Sequence, residues 1–151
     1  FRSPGSRWKG QGRKYGYQLI ARDELSSPPD VMARFGLRRP APMLRVQALH
    51  LADNRPYILE DRWIDTRATP GILALDLYRE SANEWLVRNK PYSRLELRFY
   101  ALNAEGETAT HMATAPGTAL LVLERTTWIG PDPITTVQAV AAPGYQLAAR
   151  N

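Results

Sequence analysis

The sequence predicts an α+β fold: a mostly antiparallel sheet of about six strands with short helices packed around it. Three observations carry this. Six stretches show the two-residue alternation or the β-rich composition of strands. Tight, turn-forming connections join several of them in hairpin fashion. No helical segment is long enough to serve as a βαβ crossover, so a parallel sheet is disfavoured. The 151 residues suit one domain with a single core.

Taken in order, Tyr15, Tyr17 and Leu19 alternate in a first strand over residues 15–24. Ser26-Ser27-Pro28-Pro29 opens a short helix, with Ser27 as its expected cap, a proline in the first turn and Gly36 as its stop. Residues 43–51 and 56–65 form a hairpin about the turn Asp53-Asn54-Arg55. Pro70-Gly71 begins a brief helical stretch through Leu77. Ser81-Ala82-Asn83-Glu84 is a capping box, which predicts a helix over residues 82–88 anchored by Trp85 and Leu86. In residues 93–102, Leu95, Leu97, Phe99 and Ala101 alternate with Arg94, Glu96, Arg98 and Tyr100, the pattern of a half-buried antiparallel strand. Residues 107–112 are helical. Residues 119–129 and 134–140 form a second hairpin about Gly130-Pro131-Asp132-Pro133, and Pro143-Gly144 interrupts the chain before residues 145–148.

Composition narrows the function classes. Hydrophobic content is 44% and charged content 23%, which is ordinary for a globular domain. No apolar run reaches the roughly 18 residues of a membrane span, so no membrane partner is expected. There is no cysteine, which excludes disulfides and thiolate metal sites and fits a cytoplasmic location. The net charge of +5 lies in Arg2, Arg7, Lys9, Arg13 and Lys14. The rest of the chain carries 15 acidic side chains and as many basic ones. A folded body without basic excess lacks the electrostatic footprint of a nucleic-acid-binding surface. Residues 1–14, rich in Gly, Ser and Arg, read as a solvated linker ahead of a domain over residues 15–151. The chain starts at Phe1 rather than Met, so a partner domain elsewhere is expected.

No cofactor is predicted. His50 and His111 are far apart and lack metal-ligand spacing. Neither a glycine-rich nucleotide loop nor a Gly-x-Ser-x-Gly elbow occurs, so nucleophilic catalysis has no visible apparatus. The unusual feature is charge on otherwise apolar strands. Glu60, Asp61 and Arg62 interrupt Tyr57-Ile58-Leu59 and Trp63-Ile64, while Arg94, Glu96 and Arg98 line one strand face. A three-residue loop at 53–55 would put His50 and Ala48 on the same face as Ile58, Glu60 and Arg62. Such a face offers a guanidinium fork for a carboxylate and a carboxylate acceptor for a ring N–H. Patterning alone equally allows these charges to be a solvated face of weak cross-strand pairs. It equally allows His50 to be a satisfied histidine, and Trp63, Trp85 and Trp128 to be core.

A family resemblance separates these readings. From Tyr17 onward the order of motifs resembles the effector-binding, UTRA-type domain of GntR-superfamily transcriptional regulators. Pro29-Asp30-Val31-Met32-Ala33-Arg34-Phe35-Gly36-Leu37 matches its short helix, and Leu49-His50-Leu51-Ala52-Asp53-Asn54-Arg55-Pro56-Tyr57-Ile58-Leu59-Glu60 its hairpin. Arg94-Leu95-Glu96, the run 119–128 and Pro133-Ile134-Thr135 follow in order. Within the superfamily, Leu59-Glu60-Asp61-Arg62-Trp63-Ile64-Asp65, Ala82-Asn83-Glu84-Trp85-Leu86, Arg125-Thr126-Thr127-Trp128 and Pro143-Gly144-Tyr145 resemble the histidine-utilisation (HutC-type) repressors most. Two places depart from the pattern: the turn Asp53-Asn54-Arg55, where the family often has Gly, and Leu97-Arg98, where the subfamily has an acidic-His pair.

The resemblance implies a chorismate-lyase-like sheet and a small anionic effector, urocanate in this subfamily. It implies regulation rather than catalysis, a homodimer, and operator DNA contacted only through a winged helix-turn-helix domain that this chain does not contain. The effector candidates it implies are His50, Tyr57, Glu60, Arg62, Arg94, Glu96, Thr136 and Tyr145. Arg94 is expected to bind the effector carboxylate, with Arg62 second. Glu60 or Glu96 would accept from an imidazole N–H, and Tyr57 and Tyr145 would close the apolar side. Three alternatives stay open: a lyase on the same fold, a domain for a sugar phosphate, and a dimerisation module with a degenerate pocket.

Overall fold

The computed structural model describes residues 14–149. Its elements follow in the order β1 (Tyr15–Ser26), α1 (Pro29–Phe35), β2 (Pro42–Ala52), β3 (Arg55–Asp65), a 3₁₀ turn (Pro70–Ala74), α2 (Ala82–Asn89), β4 (Arg94–Asn103), α3 (Gly106–Met112), β5 (Ala119–Ile129) and β6 (Asp132–Ala141). The six strands form one sheet in the order β1-β2-β3-β6-β5-β4, and every neighbouring pair is antiparallel. The predicted α+β class and strand count are those observed. No strand follows Gly144 among the described residues.

Both sheet faces are covered, each by different elements. On one face, Leu44, Val46, Ile64 and Ile134 pack beneath the 3₁₀ turn and α2 through Ile72, Leu77, Ala82 and Leu86. On the other, Val31 and Phe35 of α1 pack on Ala41, Met43 and Trp63, while Ala109 and Met112 of α3 pack on Leu49, Leu120, Val122 and Val140. The helices are too short to be stable alone, so this burial is what holds them.

Local chemistry sets the ends. Ser81 caps α2 as predicted, its Oγ accepting from Glu84 N at 3.1 Å. Gly36 ends α1 at φ 77°. Ser27, however, does not cap α1: Pro28 occupies the cap position, and Ser27 Oγ accepts instead from Ala41 N at 2.9 Å. Ser27 is spent on tying the end of β1 to the start of β2.

The β2–β3 turn is also tighter than predicted. Asp53 (φ 51°) and Asn54 (φ 64°) form a two-residue turn with positive φ at both positions, and Arg55 already pairs with Ala52. This is the twist that suits a hairpin. A bulge between His50/Ile58 and Leu51/Pro56 then adds the residue that the turn omits. Turn plus bulge restores the expected parity, so Ala48 pairs with Glu60 and His50 with Ile58. Because a β-branched residue tolerates positive φ poorly, Asn54→Val is expected to lose about 1–2 kcal/mol, whereas Asn54→Gly should hold within about 0.5 kcal/mol of the parent. Urea denaturation of the two variants checks this; equal stabilities would contradict the turn geometry.

Candidate functional site

Directly paired residues across an antiparallel sheet share a face, and the register therefore sorts the charged side chains. One row runs Arg22, Val46, Arg62, Val137, Arg125 and Leu97 from β1 to β4. The next runs Ala48, Glu60, Ala139, Leu123 and Phe99, and on the other side of the first runs Leu44, Ile64, Thr135, Thr127 and Leu95. All three rows lie on the α2 face. Polar side chains thus interrupt that face between the apolar cluster under α2 and a second one made by Ile58, Leu123, Ala139 and Ala141.

The centre is a buried hydrogen-bonded charge cluster. Arg62 is 1% exposed, His50 1% and Glu60 6%. Glu60 Oε1 lies 2.9 Å from His50 Nε2, and Glu60 Oε2 lies 3.4 Å from Arg62 Nη2. Arg62 Nη2 also donates to Asn83 Oδ1 of α2 at 3.2 Å, and its Nη1 to Thr135 Oγ1 at 3.2 Å. On the far side of the imidazole, the Tyr15 hydroxyl sits 2.6 Å from His50 Nδ1. Burial alone would raise the Glu60 carboxyl from its ordinary 4.5, but the His50 ring and the Arg62 guanidinium overcome it and hold the group at about 2. Glu60 is therefore an ionised acceptor. His50 Nε2 therefore carries the proton that Glu60 accepts, and the Tyr15 hydroxyl pairs with Nδ1. Burial, then Glu60, pushes the Tyr15 phenol well above its usual range, and for the same reasons Tyr17 moves up to about 12.

Beside this cluster opens a cavity of about 460 Å³. Arg62, Arg125, Thr127, Ile134 and Thr135 form its floor; Asn83, Leu86, Val87 and Lys90 from α2 and its end form one wall, with Pro91 and Tyr92 at the side. Arg125 is buried, with its guanidinium carbon 5.1 Å from the centre of the Tyr92 ring. Burial pulls the Arg62 guanidinium down; Glu60 opposes this and Arg125 adds to it. Two guanidinium groups therefore share one cavity floor. Arg62 Nε, fully buried, has no hydrogen-bond partner among the described residues. Paired guanidiniums, amide and hydroxyl groups over an apolar wall suit a small anion with an unsaturated or apolar body.

The predicted site residues divide between the faces. His50, Glu60 and Arg62 come together, with Arg62 reaching the cavity. Tyr57 and Tyr145 meet each other, ring centres 5.5 Å apart, over the second apolar cluster, and do not line the cavity. Arg94, Glu96 and Thr136 lie on the opposite face. Arg94 stacks on Trp128 with its guanidinium carbon 3.8 Å from the ring centre, and Trp128 Nε1 donates to Phe35 O of α1. Glu96 lines a narrow cleft with Arg34, Arg98 and Glu124. Thr136 Oγ1 is 2.8 Å from Thr126 Oγ1, buried in that face. Sequence reasoning missed Arg125, Thr127, Thr135, Asn83, Lys90 and Tyr92. A signal for Arg125 was present: it is the one basic residue in the β-rich run 119–129. Thr135 was missed by one residue, which in a strand is one whole face.

A six-stranded antiparallel sheet with helices on both faces and a guanidinium-lined cavity defines an α+β domain of the ligand-pocket class. The chain belongs to the UTRA domain family, whose model matches residues 10–142. It is 22% identical over 130 residues to the histidine utilization repressor of Pseudomonas putida, covering 86% of this chain and 52% of that protein. The chain thus spans about half the length of that relative. Its fold is that of the C-terminal domain of the histidine utilization repressor from Pseudomonas syringae pv. tomato str. DC3000, with a TM-score of 0.84 and 19% identity, covering 91% of this chain and 99% of that one. The effector domain of PhnF from Mycobacterium smegmatis superimposes at a TM-score of 0.80 with 17% identity, covering 93% and 88%. The first two are named as a repressor and as the C-terminal domain of one, and the third as an effector domain.

Because Glu60 is held below its ordinary value, its contribution to stability is complete above pH 4.5 and is lost as pH falls through about 2. Glu60→Gln should lower stability at neutral pH by about 3 kcal/mol and flatten the acid side of the profile. Chemical denaturation from pH 7 to pH 2 reads both effects, and a variant that tracks the parent throughout would refute the clamp.

Proposed function

We propose that this domain is the effector-sensing part of a GntR-superfamily, HutC-type repressor. It binds a small carboxylate, urocanate first, in the cavity above Arg62 and Arg125. Occupancy then modulates operator binding by a DNA-binding domain outside this chain, in the cytoplasm. The observation that carries the reading is that buried Arg62 shares one cavity floor with a second guanidinium, that of Arg125. A carboxylate over that floor meets two guanidinium groups suited to charge-assisted hydrogen bonds. Tyr92, Leu86 and Val87 suit a flat ring, and Asn83, Thr127 and Thr135 offer polar partners for its nitrogens. Glu60 is a poor choice for that ring, because His50 and Arg62 already engage both its oxygens. Two relatives are histidine utilization repressors by name, and one matched region is called the C-terminal domain, which supports a DNA-binding domain ahead of β1. A sugar phosphate is the second reading, favoured by Lys90 at the wall and by a cavity several-fold larger than urocanate.

Urocanate at about 100 times its Kd should add about 2.7 kcal/mol, a rise in Tm of roughly 5–10 °C. Arg125→Gln should abolish the rise and Arg94→Ala should leave it intact. A panel of urocanate, histidine and sugar phosphates in thermal denaturation decides. Loss of the shift in Arg94→Ala, or no shift from any compound, overturns the reading.

A homodimer belongs to the same proposal. Edge strand β4 is exposed along most of its length and presents Leu97, Phe99 and Tyr100 at 43%, 54% and 37% exposure. An edge of that length and hydrophobicity is a pairing surface unless covered. Sedimentation should show a dimer that Phe99→Glu converts to monomer; a monomeric parent at high concentration removes this part.

A further inference from the structure

The charge cluster has a second property: it is continuous across five elements. From the Tyr15 hydroxyl on β1 it passes to His50 on β2, Glu60 on β3, Arg62, and from there to Asn83 on α2 and Thr135 on β6. His50 is fixed in this path by two flanking rings, Tyr15 at 5.8 Å and Tyr17 at 5.5 Å between centres. Neither His50 nor Tyr15 lines the cavity. A second tie runs the same way. Arg22 of β1 donates to Leu75 O at 2.7 Å and to Leu73 O at 2.6 Å, gripping the segment that leads into α2.

At one end of the path is β1, an edge strand with β2 as its sole sheet neighbour. Its register with β2 is interrupted between Leu19 and Ala21. An edge strand with a bulge is the sheet element least restrained by its ladder. At the other end is Arg62, whose Nη2 is shared between Glu60 and Asn83. An anion drawn to the cavity floor pulls on the same planar guanidinium whose Nη2 holds Glu60 and Asn83, and a shift of that group alters both bonds. Glu60 passes such a change to His50, and His50 to Tyr15.

We propose that this hydrogen-bonded path is a relay that couples the cavity to β1, with His50 and Tyr15 as positioning residues that touch no ligand. The relay rests on the sensor reading for its input, and β1 is its output because it is the strand that continues into residues 1–14. Coupling of this kind needs a linked two-state element rather than mere proximity, and in this proposal that part falls to the bulged edge strand β1.

Hydrogen exchange measured by mass spectrometry tests the relay with and without ligand. Without ligand, Tyr15→Phe should speed exchange in α2 as well as β1, and Asn83→Ala should speed it in residues 15–19 as well as α2. Each remote effect should be about 2- to 30-fold, and the double variant should exceed the larger single effect little. With urocanate, the parent should gain protection in β1, whereas Tyr15→Phe should bind within about twofold of the parent and lose that gain. Effects confined to the altered element, or urocanate binding that leaves β1 exchange unchanged, overturn the relay and leave the sensor reading standing. Remote effects without any urocanate binding sustain the relay and remove urocanate as its input.

Discussion

The ion pair between Glu60 and Arg62, buried in the middle of a sheet, is the constraint around which the rest of this molecule is arranged. Two desolvated charges at 3.4 Å are favourable only if their remaining hydrogen-bonding capacity is satisfied. The fold supplies those partners from four directions: His50 from the neighbouring strand, Thr135 from the other side, Asn83 from the covering helix, and Tyr15 behind the histidine. The position of α2 follows from this demand as well as from its apolar side. Leu86 anchors the helix in the core, while Asn83, one turn earlier, is buried against the guanidinium. Alongside the helix the cover is incomplete, and the cavity opens there.

The two faces of the sheet use charge differently. On the α1 side, Arg34 meets Glu124 at 3.5 Å and Tyr100 donates to the same carboxylate at 2.8 Å, with Gln138 donating to Tyr100. Those groups fasten α1 to the sheet and leave only a cleft of about 10 Å³. On the α2 side, the strands carry a second guanidinium, and the space above it stays open. The distinction between a structural charge network and a binding site is thus a matter of which face a residue occupies and how much room its covering helix leaves.

That distinction explains what was legible in the sequence. The strand at β4, the charged interruption of the 57–64 run, the capping box and the α+β class were readable, because these are local properties. The half-buried face expected of β4 is instead exposed, because β4 is an edge strand that the described helices leave largely uncovered. The grouping of His50 with Glu60 was also readable, since a hairpin links adjacent strands and turn length sets parity; the two-residue turn and the bulge compensated each other. Arg94 was a different problem. Its relation to Arg62 depends on the registers of β3 with β6, β6 with β5 and β5 with β4, with an irregularity at Thr127/Trp128. Three successive registers cannot be fixed from composition, and each one-residue error exchanges the faces. Thr136 lies on the opposite face, and Thr135 and Arg125 on the cavity floor went unseen, through the same uncertainty.

The state of Glu60 also bears on whether such a cavity senses or catalyses. A general acid or base works best with its pKa near the operating pH. Glu60 is held at about 2, with His50 and Arg62 engaging both oxygens, so it neither gives nor takes a proton near neutrality. It is a fixed counter-charge that keeps Arg62 in place. What a sensor requires instead is an energy difference between bound and free arrangements, commonly about 1–3 kcal/mol. Hydrogen bonds to charged groups are worth about 1.5–3 kcal/mol, so an anion over two guanidinium groups is a source of that size. That magnitude is what the proposed sensing role asks of the cluster.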